Sequence, residues 1–508
     1  MSIVDVLRRR KTSIVAALVA LGAALTLSAW ATASPPGSSP DEDFHLASIW
    51  CPKAIGGACV SRVVEDGERQ VQVPYNVAWA ASCTAFKPFE SGACVEEFGT
   101  TPVFTARFDT GEYPGGFYTA MHIFVGRNLN ASVYSMRLFN AAFAIGLLGA
   151  AVALLTGSNR RLVAYGGLVV ATPMTVFMLA SINPSGWSIL GVTLAWIGLH
   201  GFYTEESTRR RWALGGMALV GAILAAVSRA DAGAFIGVVS LAIVVLHLDR
   251  IRAKRAEEGM RGLAYWASLP VMTTLIGVLG FLAGGQNEAL RGLEGGGNRT
   301  RELFFHNVLA LPELLLSATI GPLNWLDTPV PPMTVIFVCM FSAGLVFWGL
   351  RSMNARKGIA LGGLLFTIVS LPLLLLQLTG GEIGRYVQGR YLTPLLPAIV
   401  MTALWDPLKN TVPRLTRVQG SVIAIALTAA NSAALWTQIR RFTSGLNVRW
   451  INLNAAVEWW VSPVSPMATW MLGSIGFGLL CLTYMWWSQG VTSSDSLEGT
   501  VSVTEGAK

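Results

Sequence analysis

Long apolar runs separated by short polar segments dominate the chain. Twelve of these runs approach the length of about 20 residues that an α-helix needs to cross a bilayer. We therefore predict twelve membrane-spanning helices, and we find no direct or inverted repeat among them. The predicted spans are residues 13–32, 136–156, 161–181, 185–203, 212–229, 231–248, 264–283, 331–350, 358–378, 391–405, 418–436 and 467–487.

The polar segments between the runs predict how the chain is organised. Basic residues cluster in short loops, which marks those loops as cytoplasmic and places both termini on the cytoplasmic side. The predicted units are a cytoplasmic segment with the first helix (1–32), an outer subdomain (33–135), helices 2–7 (136–283), an outer interfacial or re-entrant helix pair (284–330), helices 8–12 (331–487) with outer loops 379–390 and 437–466, and a disordered cytoplasmic tail (488–508).

The start of the chain has a second interpretation. Ala31-Thr32-Ala33 is a plausible signal-peptidase site after an apolar run with a basic start. The run is long for a secretory signal, and eleven more predicted spans follow it. A retained span is therefore favoured.

Composition supports a membrane protein and argues against a nucleic-acid partner. Apolar residues make up 53% of the chain and charged residues 13%, whereas a soluble domain carries about 25% charged residues. The net charge of +8 comes from the basic loops. The apolar composition makes membrane lipids the expected surroundings. Nucleic acid is not an expected partner, because no basic face alternates with aromatic residues.

The subdomain at 33–135 contains four cysteines in a polar setting. Cys51, Cys59, Cys83 and Cys94 are typical of two disulfides in an oxidising compartment, and their spacing makes a zinc site a weaker alternative. Three pairings are open, of which the two local bridges, Cys51–Cys59 and Cys83–Cys94, are favoured. Residues 71–75 alternate like a short strand.

An acidic cluster follows the first span. Asp41, Glu42 and Asp43 are consecutive, and His45 lies on the same helical face as Asp41 if a helix follows. A structural interpretation is available, in which the cluster is a solvated loop and Asp41 caps that helix. A functional interpretation is a set of carboxylates available for acid–base chemistry.

A second polar cluster lies at the predicted outer end of a late span. Two arginines can offer planar guanidinium groups to a phosphate, with glycines that allow close approach of the backbone. The alternative is a pair of snorkelling arginines within an aromatic belt. The candidate phosphate-binding residues are Arg385, Tyr386, Gln388, Arg390 and Tyr391. Arg229 is a further candidate, although an ion pair with Asp231 explains it nearly as well.

The positions of these charges separate two classes of function. Ion-coupled transporters usually carry ionisable groups near the midplane of the membrane. Here the middles of the predicted spans are almost free of charge, and the candidate groups lie at the predicted outer ends. An enzyme that acts on a lipid-linked substrate needs its polar site at the headgroup level, so the sequence favours an enzyme.

Four motifs together resemble a family of known proteins. They are Pro40-Asp41-Glu42 followed by His45, the segment Tyr113-Pro114 to Phe117-Tyr118, Ser181-Ile182-Asn183-Pro184, and Gln388-Gly389-Arg390-Tyr391 followed by Pro394 and Pro397. In this order they resemble a bacterial family of predicted multi-pass membrane proteins of unknown function that is grouped with the GT-C-fold glycosyltransferases.

The resemblance implies a GT-C-like, all-α polytopic fold of about 12 transmembrane helices with a disulfide-containing first outer loop. It implies transfer of a sugar from a polyprenyl-phosphate donor to a glycan or lipid acceptor, at the outer face of the bacterial plasma membrane. The GT-C base maps onto Asp41 or Glu42, and both stay open. We expect Asp43, His45, Asn183 and Tyr113 to support the site.

Other expectations complete this hypothesis. The disulfide loop and the loop 437–466 are expected to shape the acceptor site. A divalent metal is compatible with three clustered carboxylates, but a lipid-monophosphate donor does not require one. The alternatives are a transporter or flippase for a lipid-linked sugar, and a non-catalytic scaffold of cell-wall assembly.

Overall fold

The protein is a mostly helical, multi-pass membrane protein. A computed structural model describes residues 3–285, 299–384 and 387–490. Within these residues, eight helices are long and apolar enough to cross a bilayer, and a bent pair of helices makes a ninth span if it is counted as one. The described α-helices are α1 (Ile3–Thr32), α2 (Glu42–Trp50), α3 (Tyr75–Ala78), α4 (Gly116–Met121), α5 (Leu129–Leu154), α6 (Gly157–Val170), α7 (Pro173–Leu179), α8 (Pro184–Thr204), α9 (Thr208–Ser228), α10 (Ala230–Leu246), α11 (Leu248–Ala283), α12 (Arg301–Ser317), α13 (Pro332–Gly349), α14 (Ala355–Thr379), α15 (Leu396–Leu404), α16 (Arg417–Thr443) and α17 (Pro466–Gly490).

Eight of the twelve predicted spans coincide with these long apolar helices, and the count of twelve is not confirmed. The other four predicted spans have a different form. Residues 161–181 form the helices α6 and α7, which meet at an angle of 97°. Residues 391–405 contain only the nine-residue helix α15 after two 3₁₀ turns.

The remaining two segments are helical, but one is short for a membrane span and the other is almost completely buried by protein. Helix α10 has 17 residues, which is short for a bilayer crossing. Helix α8 has 21 residues but carries many small, polar and ring side chains, and nearly all of it is buried. An apolar run therefore locates an apolar helical segment, while the length of that helix and its exposure depend on the neighbouring helices.

The subdomain at residues 33–135 adds a small antiparallel sheet to the helical fold. Its strands are β1 (Ser61–Val63), β2 (Arg69–Pro74) and β3 (Pro102–Thr105), with β2 in the centre. Strand β2 contains most of the predicted strand at 71–75 and ends at Pro74, which cannot donate a ladder hydrogen bond. The fold is therefore not purely α-helical.

The four cysteines of the subdomain form two bridges. The structure pairs Cys51 with Cys59 and Cys83 with Cys94, which are the two local pairings favoured by the sequence. The first bridge ties the end of α2 to the segment before β1. The second closes a loop in the segment between α3 and β3.

Glycines let two helix pairs pack backbone against backbone. A Cβ atom at Gly22 of α1 would lie 2.6 Å from the carbonyl oxygen of Gly476 in α17. A Cβ atom at Gly191 of α8 would lie 2.7 Å from the amide nitrogen of Ala225 in α9. Small residues at such positions are typical of helix contacts in membranes, where close van der Waals packing drives association.

Two further segments complete the described fold. Helix α4 ends at Met121, and its residues Phe117 and Tyr118 are buried in the core. For the expected interfacial helix pair at 284–330, the described part contains one helix, α12. Residues 286–298 lie outside the described residues, as does the tail from 491.

The segment between α1 and α2 is buried and is held by side chains from three other parts of the chain. Arg137 of α5 donates to the carbonyl oxygen of Ser34 at 2.6 Å. Asn183, before α8, donates to the carbonyl oxygen of Pro40 at 2.9 Å. Trp325, after α12, donates to the carbonyl oxygen of Gly37 at 2.9 Å. These bonds satisfy backbone carbonyls that have no helical partner, and they fix where α2 begins.

The disulfide pairing is directly testable. Peptide mapping under non-reducing conditions should recover Cys51 linked to Cys59 and Cys83 linked to Cys94. The Cα atoms of each pair are 5.5 and 5.9 Å apart, within the range that an unstrained bridge requires. A peptide that links Cys51 or Cys59 to Cys83 or Cys94 would contradict the fold of the subdomain.

Candidate functional site

Asp41 lies at the N-terminal end of α2 with its side chain directed away from the helix. Its backbone is left-handed, with φ of 57°, and its carboxylate makes no capping hydrogen bond. A helix does follow the acidic cluster, as predicted, but Asp41 does not cap it through its side chain. The carboxylate is therefore available to other partners, and both of its oxygens are engaged by arginines.

Arg390 provides the first of these partners. Its Nη2 lies 2.5 Å from Oδ2 of Asp41, although the two residues are 349 positions apart in the chain. Arg390 is almost completely buried, and it sits in a 3₁₀ turn, Gly389–Tyr391. Gly389 packs so tightly against Ser317 that a Cβ atom would lie 2.1 Å from its Oγ. The missing side chain lets this turn approach α12 and brings Arg390 to Asp41.

Arg107, in the subdomain at residues 33–135, provides the second partner. Its Nη2 lies 3.1 Å from Oδ1 of Asp41, and its Nε lies 2.5 Å from Oδ2 of Asp43. The side chain of Arg107 is 46% exposed, whereas that of Arg390 is 3% exposed. Asp41 is thus held between a buried cation on one side and a solvent-facing cation on the other.

These cations determine the charge state of Asp41. Burial alone would raise the pKa of its carboxyl group. Arg390, and more weakly Arg107, outweigh burial and hold the pKa below its usual value of 3.8. Asp41 is therefore ionised at neutral pH, as a group that accepts a proton must be.

Arg229 belongs to the same cluster. It forms a two-point ion pair with Asp231, with distances of 2.9 and 2.7 Å, which matches the alternative interpretation of this arginine. Its guanidinium group also lies 4.4 Å from the ring centre of Tyr391 and 5.8 Å from that of Tyr113. The ion pair and a position beside Arg390 are therefore compatible.

The predicted phosphate-binding residues divide into two groups. Gln388 accepts a hydrogen bond from Nη1 of Arg390, and the guanidinium group of Arg390 lies 5.0 Å from the ring centre of Tyr391. Gln388 and Tyr391 thus contact Arg390, which contacts Asp41, and Arg229 lies over the ring of the same tyrosine. Arg385 and Tyr386 lie outside the described residues, so their place relative to the cluster stays a prediction.

His45 lies beneath the cluster in an aromatic pocket. Its Nδ1 and the hydroxyl oxygen of Tyr118 are 2.9 Å apart, and its ring packs edge-on against Tyr113. Burial lowers the pKa of His45 to about 3, so the ring is neutral at pH 7. His45, Tyr113 and Asn183 were all expected to support the site. Asn183 does contact the residue before Asp41, since it donates to the carbonyl oxygen of Pro40.

Glu42 points in a different direction from Asp41. Its side chain is fully buried, and both of its carboxylate oxygens lie 2.9 Å from Nη2 of Arg137. It also accepts a hydrogen bond from the amide of Ser39. A solvated loop is therefore wrong as a description of the acidic cluster. Glu42 belongs to a buried ion pair that locks α2 against α5.

Sequence reasoning missed two residues of this network. Arg137 lies one residue inside a predicted span, where a buried arginine is a signal for a specific partner. Arg107 carries no comparable signal, since it is one of several charged residues in a polar segment. Both arginines pair with the acidic cluster, and together with Arg390 they give each of its three carboxylates a cationic partner.

The chain matches one described protein family. The match, to the family described as "Predicted membrane protein (DUF2142)", covers residues 24–399. This segment includes Asp41, Arg107, Arg229 and Arg390. The chain belongs to the DUF2142 family. No curated protein and no solved structure matches it. The family description names a membrane protein but gives no activity. The argument for a function therefore rests on the geometry of the site.

The acidic cluster of this DUF2142 protein contacts arginines and is not arranged as a set of metal ligands. In the described part of the chain, no group of three or more His, Cys, Asp or Glu residues is arranged to hold a metal ion. The three carboxylates of the acidic cluster instead face arginines.

The buried pair of Glu42 and Arg137 gives a prediction for stability. Replacing Arg137 with Met leaves Glu42 buried without its partner, which should cost about 3–5 kcal/mol and lower the melting temperature of the purified protein. The double variant Glu42→Gln/Arg137→Met should recover part of that loss. Arg127→Met removes an exposed arginine in the turn before α5 and is the matched control. Equal melting of the Arg137 and Arg127 variants would contradict the assignment.

Proposed function

We propose that this DUF2142 protein is a membrane glycosyltransferase that moves a sugar from a polyprenyl-phosphate donor to a cell-envelope glycan or lipid acceptor. The observation that carries the proposal is the contact between Asp41 and Arg390. A general base and a cation that binds the leaving phosphate must both reach the reacting sugar, and Asp41 and Arg390, our candidates for these roles, are in contact although they come from distant parts of the chain.

The donor would bind through its phosphate on the Arg390 side of Asp41. The buried Nε of Arg390 has no hydrogen-bond partner among the described residues, which leaves a donor group available for a phosphate oxygen. Arg229 adds a second cation next to Tyr391. As the bond to phosphate breaks, the leaving phosphate gains negative charge, and fixed cations stabilise that charge more than they stabilise the intact donor.

Asp41 would act as the general base. It would accept the proton of an acceptor hydroxyl group while the oxygen attacks the anomeric carbon, and direct displacement would invert the configuration at that carbon. Such help is worth about 10²–10⁴-fold in rate. Glu42 is the weaker candidate, because it is buried against Arg137 and a catalytic movement would have to break that ion pair.

The proposal includes a GT-C-like fold with twelve crossings of the bacterial plasma membrane. The bent pair α6–α7 and the helices α8, α10 and α15 would supply the four crossings beyond the eight long apolar helices. Both termini would be cytoplasmic, and the site would face outward with the disulfide-containing subdomain. The two disulfides support an oxidising, extracytoplasmic compartment for that subdomain.

The central experiment replaces the base. Purified protein in detergent is incubated with polyprenyl-phosphate sugars carrying arabinose, mannose, glucose or galactose and with an extract of envelope glycans and lipids. Asp41→Asn should lower transfer by at least about 10²-fold while polyprenyl monophosphate still binds. Asp66→Asn, in the exposed turn before β2, is the matched control. Full activity of Asp41→Asn would exclude Asp41 as the base.

The same assay separates an enzyme from a transporter. A flippase for a lipid-linked sugar moves its substrate across a bilayer without changing its bonds. Release of polyprenyl phosphate in detergent, where there is no bilayer, would therefore exclude pure transport. Unchanged donor in the presence of every acceptor fraction would count against the enzyme.

A second prediction concerns donor binding. Arg390→Gln removes the charge that would contact the phosphate, and it should weaken binding of polyprenyl monophosphate by about tenfold or more. Arg351→Gln, which removes an exposed arginine stacked on Trp348, serves as the control. Equilibrium titration with the labelled lipid measures both variants. Equal affinities would show that Arg390 does not hold the phosphate.

A further inference from the structure

An open cleft of about 550 Å³ lies within the outer subdomain, beside α2. This size is within the range of small-molecule sites. One wall comes from the β1–β2 turn, a second from the segment after β3, and a third from α2. The residues that line it include Phe44, Glu68, Arg69, Arg107, Thr110 and Glu112.

Arg107 separates this cleft from Asp41. It lines the cleft and at the same time reaches Oδ1 of Asp41 at 3.1 Å and Oδ2 of Asp43 at 2.5 Å. The other oxygen of Asp41 faces Arg390 in the protein core. The two oxygens of Asp41 therefore face two different spaces, one on the side of the buried arginine and one on the side of the cleft.

Arg107 is the more easily displaced of the two arginines. Its side chain is 46% exposed, and a solvent-facing ion pair contributes little net stability. Its guanidinium group also lies 5.6 Å from the ring centre of Trp325, which offers a cation–π contact besides the carboxylates. Arg390 lacks this freedom, because it is buried between Asp41, Gln388 and Tyr391.

The lining of the cleft indicates the chemistry of its ligand. The lining carries two carboxylates, Glu68 and Glu112, and two guanidinium groups, of which Arg107 is also paired with Asp41 and Asp43, so the cleft has no excess positive charge to attract an anion. These groups can accept hydrogen bonds from hydroxyl groups or donate to them. Phe44 adds an apolar surface. This combination suits a neutral, polyhydroxylated molecule.

We propose that this cleft binds the acceptor, as a neutral glycan, and that Arg107 is a gate which yields Oδ1 of Asp41 to an acceptor hydroxyl group. The inference rests on the proposed glycosyltransferase activity. The hydroxyl oxygen forms a bond to the anomeric carbon, and its proton passes to Asp41. The bond between that carbon and the phosphate oxygen breaks, and its electron pair leaves with polyprenyl phosphate.

The experiment measures binding of neutral glycans without the donor. Linear tetrasaccharides of arabinofuranose, mannose, glucose or galactose are titrated into the full-length protein in detergent. Ala106→Trp places a large ring in the cleft, and Thr101→Trp places the same ring at an exposed position outside it. Glu68→Ala removes one exposed lining carboxylate and disturbs only a contact with Gln70.

At least one tetrasaccharide should bind the unchanged protein and Thr101→Trp with equal affinity. Ala106→Trp should weaken binding by about tenfold or more, and Glu68→Ala by about threefold to tenfold. If Ala106→Trp does not fold, as judged by its melting temperature, Glu68→Ala alone decides. The inference is overturned if no tetrasaccharide binds, or if the folded cleft variants bind as well as Thr101→Trp.

Binding of polyprenyl monophosphate to the same preparation separates this inference from the proposed function. If the lipid phosphate binds and no tetrasaccharide does, the acceptor cleft is wrong while the donor site stands. If Arg390-dependent binding of the lipid phosphate is absent, the proposed function itself fails.

Discussion

The ion pair between Asp41 and Arg390 is the contact on which the candidate site depends. It joins the segment after the first helix to a turn 349 positions later, where the side chain of Arg390 is almost completely buried. A charge buried without a partner costs several kcal/mol in such surroundings, so the two groups stabilise each other's position. The same contact places a carboxylate beside the strongest candidate for phosphate binding.

A second ion pair fixes the geometry of the first. Glu42 and Arg137 hold the start of α2 against α5, and Asn183 holds the carbonyl of the residue before Asp41. Asp41 therefore projects from a backbone that is fixed on two sides. A catalytic group must be held within a fraction of an ångström of its working position, and neighbouring residues with their own partners supply that precision. In the acidic cluster, Glu42 thus has a structural role, and Asp41 is the carboxylate that is positioned for acid–base chemistry.

The sequence predicted the acidic cluster at Asp41 and the polar cluster at Arg390, but not the residues that hold them in place. Asp41, Arg390, Gln388 and Arg229 could be found because polar groups beside apolar spans are costly and therefore conspicuous. The different roles of Asp41 and Glu42 could not be found, because neighbouring residues at the start of a helix point about 100° apart and only the packing decides which one is buried. Arg107 was hidden among the many charged residues of its segment.

The membrane-spanning helices could likewise be predicted only in part. Hydropathy located eight spans that the structure describes as long apolar helices. It did not predict that α8 is almost completely buried by other helices, or that residues 161–181 break into α6 and α7 near Thr172 and Pro173. Hydropathy shows that a segment can be removed from water into lipid or protein. The length and tilt of the helix that it forms are set by the neighbouring helices.

The most direct test of the account is an experimental structure of the protein with bound polyprenyl monophosphate. We expect the phosphate within hydrogen-bonding distance of the Arg390 guanidinium group, on the same face of the protein as Asp41 and next to Arg229 and Tyr391. A phosphate bound on another face, away from Asp41, would contradict the account.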